Sequence, residues 1–359
     1  MDKIKYLSKN LYIYISNSIH TTINNTINDT KRGCCMDYIL KTTSKVYKHV
    51  SESHKYLYDN NILEKQALKI KTISVGNITT GGTGKTPMVE FLSRLLLKNN
   101  ILPCIITKGY GNDEKYQLYS KFDNCLFAVG NNRCEKAQHI IKKHDNKNET
   151  VAILDDGFQY WKLKRDIDIV MINAYDPWGG GHLLPSGRQR EIPEQALKRA
   201  DIVVIHNVTD RISETILNDI KVNIRKYSKK NTRIYNSNTI IDKLYKYENN
   251  KLVEKNIHEL KEKNLFSICG IGSPLNFQHI LEDNCFLKSL ETNVFPDHYV
   301  FSENDVKILM KKKKNKEVII TEKDFYRCLH SDYKNNLLKN LQPYILTTKL
   351  NTNLEILSL

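Results

Sequence analysis

The sequence predicts an α/β fold: a mostly parallel sheet flanked by helices, a second, smaller α/β domain, and an N-terminal amphipathic helix. Three observations carry this expectation. Short β-branched runs recur from about residue 70 with helical stretches between several of them, the rhythm of parallel strands joined by crossover helices. A polar stretch rich in Asn and Lys at 226–264 interrupts that rhythm before further strands resume. Between residues 36 and 57, apolar residues recur at three- and four-residue steps. At 359 residues, the chain is long enough for two cores.

Taken in order, residues 1–35 are rich in Asn, Thr, Ser and Lys, and lack the long apolar core and small-residue cleavage site of a secretory signal. They read as a disordered extension, a start misplaced upstream of Met36, or an organelle-targeting peptide. Over 36–70, Met36, Ile39, Leu40, Thr43, Val46, Tyr47, Val50 and Leu57 mark one helical stripe, with Lys41, Lys45, Lys48 and Lys55 interspersed. Such a helix packs on the protein's own core or lies in an anionic lipid interface. From 71 to 225, Lys71–Val75, Ile101–Thr107, Val151–Leu154, Ile167–Ile172 and Ile202–Ile205 predict strands buried on both faces, with helices over Pro87–Lys98 and Arg133–Lys143. Residues 226–264 predict a linker region. Residues 265–359 predict the second unit, with strands at Leu265–Cys269 and Glu317–Thr321.

Composition narrows the function classes. No apolar run approaches the roughly 20 residues of a membrane-spanning helix. Lys and Arg number 55 against 40 Asp and Glu, a formal charge of +15 that favours polyanionic partners. Nucleic acid is one such partner, but neither a zinc module nor an aromatic RNA-recognition signature accompanies the charge, so none is expected. The eight cysteines show no C-x-x-C pair and read as reduced thiols.

The strongest local signal is the run from Thr72 to Pro87, a strand leading through glycines into Gly84-Lys85-Thr86 and an apolar-periodic helix. Gly81, Gly82 and Gly84 let successive N–H groups approach phosphate oxygens, and the helix N-terminus adds its dipole. Lys85 supplies a charge for the β- and γ-phosphates, and Thr86 a hydroxyl for Mg²⁺. The strict G-x-x-x-x-G-K-[ST] pattern wants Gly at position 79, where this chain has Thr79. The strand–loop–helix context nevertheless predicts a P-loop NTPase-like domain, with Thr79, Thr80, Gly81, Gly82, Thr83, Gly84, Lys85 and Thr86 around the nucleotide. A second signal, Val151-Ala-Ile-Leu-Asp-Asp-Gly157, ends a strand in carboxylates at the sheet edge where that loop lies. Asp155 or Asp156 therefore qualifies as the Mg²⁺ carboxylate.

These residues resemble the tetraacyldisaccharide 4′-kinase family, the lipid A 4′-kinases. Val75–Pro87 looks like its phosphate loop, Lys108-Gly-Tyr-Gly111 its "RGYG", Val129-Gly-Asn-Asn-Arg133 its "VGxxR", and Leu154-Asp-Asp-Gly-Phe-Gln159 its "LDDGFQ". Leu184-Pro-Ser-Gly-Arg-Gln-Arg-Glu191, Gly270-Ile-Gly272, Phe295-Pro-Asp-His-Tyr299 and Thr321-Glu-Lys-Asp324 follow in the family's order, over about residues 36–350. The resemblance implies ATP- and Mg²⁺-dependent phosphorylation of the 4′-hydroxyl of a lipid A disaccharide precursor at an anionic membrane surface. The setting would be the cytoplasmic face of the inner membrane in a bacterium, or an organelle if residues 1–35 are a transit peptide. The family's "GDEP" corresponds to Asn112-Asp113-Glu114-Lys115, with Asn for Gly and Lys for Pro. By that correspondence Asp113 is the base beside His298, Lys85 neutralises phosphoryl charge, Glu114, Arg133 and Arg190 meet the substrate, and Glu191 supports the metal with Thr86, Asp155 and Asp156. Without the resemblance, Asp113-Glu114 reads as an ordinary acidic loop. The competing function is a phosphate-loop ATPase or GTPase acting as a switch or assembly factor, which needs no base for an alcohol.

Overall fold

The central strand of the computed structural model is β1 (Lys71–Asn77), buried at six of seven positions and flanked on both sides by parallel partners. The structure describes residues 34–109, 112–144, 149–285, 287–330 and 336–355; the side chains of 34–36, 112–115 and 336 lie outside that description. Residues 1–33, most of the expected extension, lie outside it too, as do Tyr110 and Gly111.

Helix α1 (Cys34–Asp59) precedes β1. After β1 come α2 (Lys85–Lys98), β2 (Leu102–Thr107), α3 (Asn112–Lys121), β3 (Leu126–Val129), α4 (Arg133–Lys143), β4 (Thr150–Asp155) and β5 (Ile167–Asn173). The short α5 (Pro193–Ala196), β6 (Ile202–His206) and α6 (Glu214–Tyr227) follow, then β7 (Arg233–Glu248) and β8 (Lys251–Lys255). The last part holds β9 (Asn264–Cys269), α7 (Pro274–Asn284), β10 (Ser289–Val294), α8 (Glu303–Lys313), β11 (Glu317–Thr321), α9 (Glu322–Leu329), α10 (Asn336–Leu341) and β12 (Tyr344–Thr352).

Among the described residues, twelve strands join one sheet, ordered β10-β9-β11-β12-β7-β6-β5-β1-β4-β2-β3, with β8 on β7. Pairing is parallel except where β7 meets β8 and β12. The expected α/β architecture is therefore present, and every strand predicted from β-branched runs coincides with an observed one, Ile101 alone falling just outside β2 (Leu102–Thr107).

The segment 226–264, expected as a linker, instead carries the sixteen-residue β7. Its first residues run parallel to β6. It then continues beyond the first unit, antiparallel to β12, from Ser237↔Thr352 to Lys246↔Tyr344. This ribbon makes the two units a single sheet. Alternation in β7 is weak because much of it is only half-covered, which is why its composition looked like that of a linker.

Each unit has its own core. In the first, Met88, Val89, Leu92 and Leu96 of α2 pack on Ile73, Val75, Ile105 and Ile153, and the cluster includes Leu350 and Leu354 from the far end of the chain. In the second, Phe266, Ile268, Val318 and Ile320 pack with Phe325, Leu337, Leu338 and Ile345. Among the described side chains, Cys104, Cys134, Cys269, Cys285 and Cys328 are buried free thiols and Cys125 a half-buried one.

Candidate active site

The phosphate loop begins where β1 leaves the sheet. Thr79 forms an antiparallel bridge with Gln189, and the Thr80 N–H donates to the Arg188 carbonyl at 2.7 Å. This explains the departure from the glycine pattern. Thr79 is buried in that bridge, with its methyl against Gly179, so a side chain is accommodated there. The loop is braced inside by the Asn77 amide, which donates to the Thr83 hydroxyl at 2.8 Å. Gly84 caps α2 in the left-handed region (φ 85°), and a Cβ there would lie 2.6 Å from the His206 ring. Conformation and space both demand glycine. Helix α2 then opens with Lys85 and Thr86, its free N–H groups facing the loop.

Beside β1, β4 ends in Asp155, paired in register with Val75. Asp156 follows in a left-handed turn (φ 47°). Arg190 Nη1 donates to its Oδ1 at 2.6 Å, and Lys85 Nζ lies 3.7 Å from the same oxygen. Burial alone would raise the Asp156 pKa, but Arg190, Lys85 and Arg133 outweigh it and hold the carboxyl well below the ordinary range. With 43% of the side chain open to solvent, that direction rests on the three cations. The structure thus brings together Lys85, Asp156 and Arg190, three of the residues predicted from sequence.

Arg133 and Glu191 are placed differently from expectation. Arg133, expected to meet substrate, is only 8% exposed; it donates to the carbonyls of Asp155 (2.9 Å) and Asp156 (3.2 Å) and stacks on Tyr160. It holds the Asp-Asp turn from beneath. Glu191, expected near the metal, accepts from Arg199 (3.0 Å) and from Gln159 (2.9 Å), which also donates to the Asn77 carbonyl. Its carboxylate ties the 184–191 segment to the end of β1. Among the described residues, no group of three or more His, Cys, Asp or Glu is placed to hold a metal.

The second unit reaches this loop through glycines. A Cβ on Gly272 would lie 2.5 Å from the Gly82 nitrogen, and one on Gly82 would lie 2.9 Å from the Gly272 carbonyl carbon. Asp297 Oδ2 lies 3.1 Å from that same Gly272 position. The turn carrying His298 (φ 61°) therefore abuts the loop that abuts the phosphate loop. The His298 N–H donates to the Gly270 carbonyl, and its ring is half-exposed, 3.9 Å from Asp297. Asp324, fully buried, accepts from the Gly270 N–H, the Thr321 hydroxyl and Arg327, which fixes the Gly270–Gly272 loop. Asp113 and Glu114 are placed by backbone alone, in the first turn of α3; the acidic loop expected there is a helix.

Sequence reasoning missed several supporting groups. His206 lies under Gly84, bonded to Ser237 and Thr239, and Arg188 lies near Gly81 while paired with Asp176. His206 belongs to no local motif and is brought in only by β6, whereas Arg188 stands inside the Leu184–Glu191 motif and reaches Gly81 through the Thr79–Gln189 bridge. Helix α1 borders the same region. Ser44 donates to the Leu183 carbonyl at 3.0 Å, the Tyr47 hydroxyl donates to that of Arg190 at 3.1 Å, and Leu40 and Tyr47 are buried. Tyr38, Ile39, Val46 and Tyr56 on the helix stay exposed. No described helix is long and apolar enough to cross a membrane.

Comparison with known proteins follows the same outline. Residues 36–356 match the family described as tetraacyldisaccharide-1-P 4′-kinase. A tetraacyldisaccharide 4′-kinase of Halothermothrix orenii is 32% identical over 343 residues, covering 86% of this chain and 87% of its own. A probable mitochondrial tetraacyldisaccharide 4′-kinase of Arabidopsis thaliana is 32% identical over 329 residues, covering 80% of each. In fold, the chain is similar to a crystal structure of LpxK from Aquifex aeolicus in complex with ATP, with a TM-score of 0.61, 24% identity, and coverage of 89% and 95%.

Proposed function

The chain belongs to the tetraacyldisaccharide 4′-kinase family, and from that premise we propose that it transfers the γ-phosphoryl group of ATP to the 4′-hydroxyl of a tetraacyldisaccharide 1-phosphate, a lipid A precursor. The observation that supports this most is the convergence of Lys85 and the His298 turn on one loop. Lys85 opens α2 at the phosphate loop, and the Gly82–Gly272–Asp297 contacts bring that turn against it. A nucleotide switch would have no use for the second arrangement.

In this reading the loop N–H groups and the α2 terminus receive the ATP phosphates, and Lys85 leaves Asp156 to neutralise the γ-phosphoryl oxygens. Asp113 takes the proton of the 4′-hydroxyl as its oxygen attacks the γ-phosphorus and the bond to ADP breaks; His298 orients that carboxylate or holds the proton. Arg190, half-open at the site, takes the substrate's existing phosphate, with Glu114 beside the sugar. Arg133 serves by holding the Asp155-Asp156 turn.

The oxygen donors present, the Thr86 hydroxyl and the Asp155 and Asp156 carboxylates, suit Mg²⁺, which binds through one or two carboxylates and keeps several waters. Those three residues would hold the ion, and the chemistry it would supply there is positive charge to neutralise phosphate oxygens. Glu191 is already held by Arg199 and Gln159 and would support rather than ligate.

The protein works at the surface of an anionic bilayer in this account. Its substrate's acyl chains stay in lipid, and the exposed Tyr38, Ile39 and Val46 of α1 lie beside Lys41 and Lys45. The bilayer would be the cytoplasmic face of a bacterial inner membrane, or an organelle membrane, a reading supported by the word mitochondrial in the name of the Arabidopsis relative.

The test is direct: incubate the protein with Mg²⁺-ATP and a monophosphorylated tetraacyl disaccharide, and look for a second phosphate by mass. Appearance of the bisphosphate, lost by about 10²-fold or more in Lys85→Ala and Asp113→Ala, is expected. ATP hydrolysis indifferent to the lipid would favour the nucleotide switch.

A further inference from the structure

Away from the phosphate loop, three charged side chains from three helices meet in the interior. Lys121 Nζ, at the end of α3, lies 2.8 Å from Glu90 Oε2 on α2 and 2.8 Å from Glu322 Oε2 on α9. All three side chains are nearly buried, with 11%, 6% and 10% of their surface exposed. Glu90 also accepts from Arg94 at 3.0 Å, and Glu322 from Gln117 at 2.9 Å. Burial would lower the Lys121 pKa, but Glu322 and Glu90 reverse this and keep the ammonium charged.

The three helices are those that carry the reaction in the reading above. Helix α2 begins with Lys85 and Thr86. Helix α9 begins at Glu322, and its first turn holds Asp324, which binds the Gly270 loop beneath the His298 turn. Helix α3 begins with Asn112-Asp113-Glu114. At ten residues and strongly polar, α3 is too short to be stable alone. Leu118 and Phe122 seat it on the core, Tyr116 stacks on His330, and Lys121 and Gln117 tie it to its neighbours.

We propose that Lys121 is a positioning residue: one ammonium, clamped between Glu90 and Glu322, sets α3 in register with the phosphate-loop helix and the second unit, and so fixes the placement of the first turn of α3, which carries Asp113. This rests on the kinase reading. A buried ion pair of this kind adds little net stability, because desolvation offsets attraction, but it fixes one geometry over others. An apolar residue would hold the helices less specifically.

The experiment compares wild type, Lys121→Met, Lys121→Arg and the charge-balanced Lys121→Met/Glu322→Gln pair, which leaves Glu90 with Arg94 and no orphaned carboxylate should the single variant fail to fold. Turnover and the KM for ATP are measured alongside hydrogen exchange of the 112–121 amides. Expected are a fall in kcat of tenfold or more, a KM for ATP within about threefold of wild type, faster exchange confined to α3, and partial recovery of kcat in Lys121→Arg. Unchanged kcat in both folded Met variants would overturn the proposal, as would α3 exchange identical to wild type. If wild type itself forms no bisphosphate, the kinase reading fails and the role in catalysis with it. The exchange data then report separately whether Lys121 holds the helix.

Discussion

Asp156 is the residue on which the phosphate-loop site turns. Its Oδ1 receives Arg190 at 2.6 Å and lies 3.7 Å from Lys85 Nζ, so one carboxylate oxygen gathers both cations beside the phosphate loop. The phosphate loop, the Asp pair and His298 were readable in sequence because each sits in a contiguous motif. His206 was not, since nothing local to it signals that it lies against Gly84. Burial lowers its imidazole to about 4. Between that value and the ordinary 6.5 the unfolded chain binds a proton that the folded one refuses, so stability falls as pH falls through this window, by roughly 3 kcal/mol in all. Melting curves at pH 7 and pH 5 should show a larger loss for wild type than for His206→Gln; equal losses would mean the ring is not held neutral.

Among the elements, the strands predicted from β-branched runs and the helices over Pro87–Lys98 and Arg133–Lys143 are present, because dense apolar periodicity survives any tertiary context. Helix α3 and strands β7, β10 and β12 were not legible. Their residues are largely polar, and they are held by partners distant in sequence: α3 by Glu90 and Glu322, β7 by β12. The stripe of helix α1 divides between buried and exposed residues. Tyr47 packs on the 183–190 segment and Leu40 is buried, while Ile39 and Val46, seven residues apart on one face, stay exposed. Ile39→Asp/Val46→Asp should therefore leave the melting temperature unchanged and weaken flotation with anionic vesicles by about tenfold or more. Deleting the whole helix would confuse lipid binding with loss of packing beside Arg190.

At the scale of the molecule, the two units touch at the phosphate loop as well as through the β7–β12 ribbon. Gly272 and Gly82 lie backbone to backbone, so Gly272→Ala must push the second unit off the loop. The expected result is at least a tenfold rise in the KM for ATP, with a stability cost of about 1–3 kcal/mol, read from nucleotide titration and thermal unfolding. An unaltered KM would show that the contact does not govern the nucleotide loop. The ribbon has a different consequence. Leu350 and Leu354 lie in the first unit's core, although the whole second unit precedes them in sequence. On the ribosome, the nucleotide-binding half would emerge early and wait, its core missing two leucines, until residues translated roughly 120 codons after β7 begins return to close it. Such a chain completes its phosphate-binding unit only once residues 350–354 have been made, so termination before Leu350 would leave the first unit's core without both leucines.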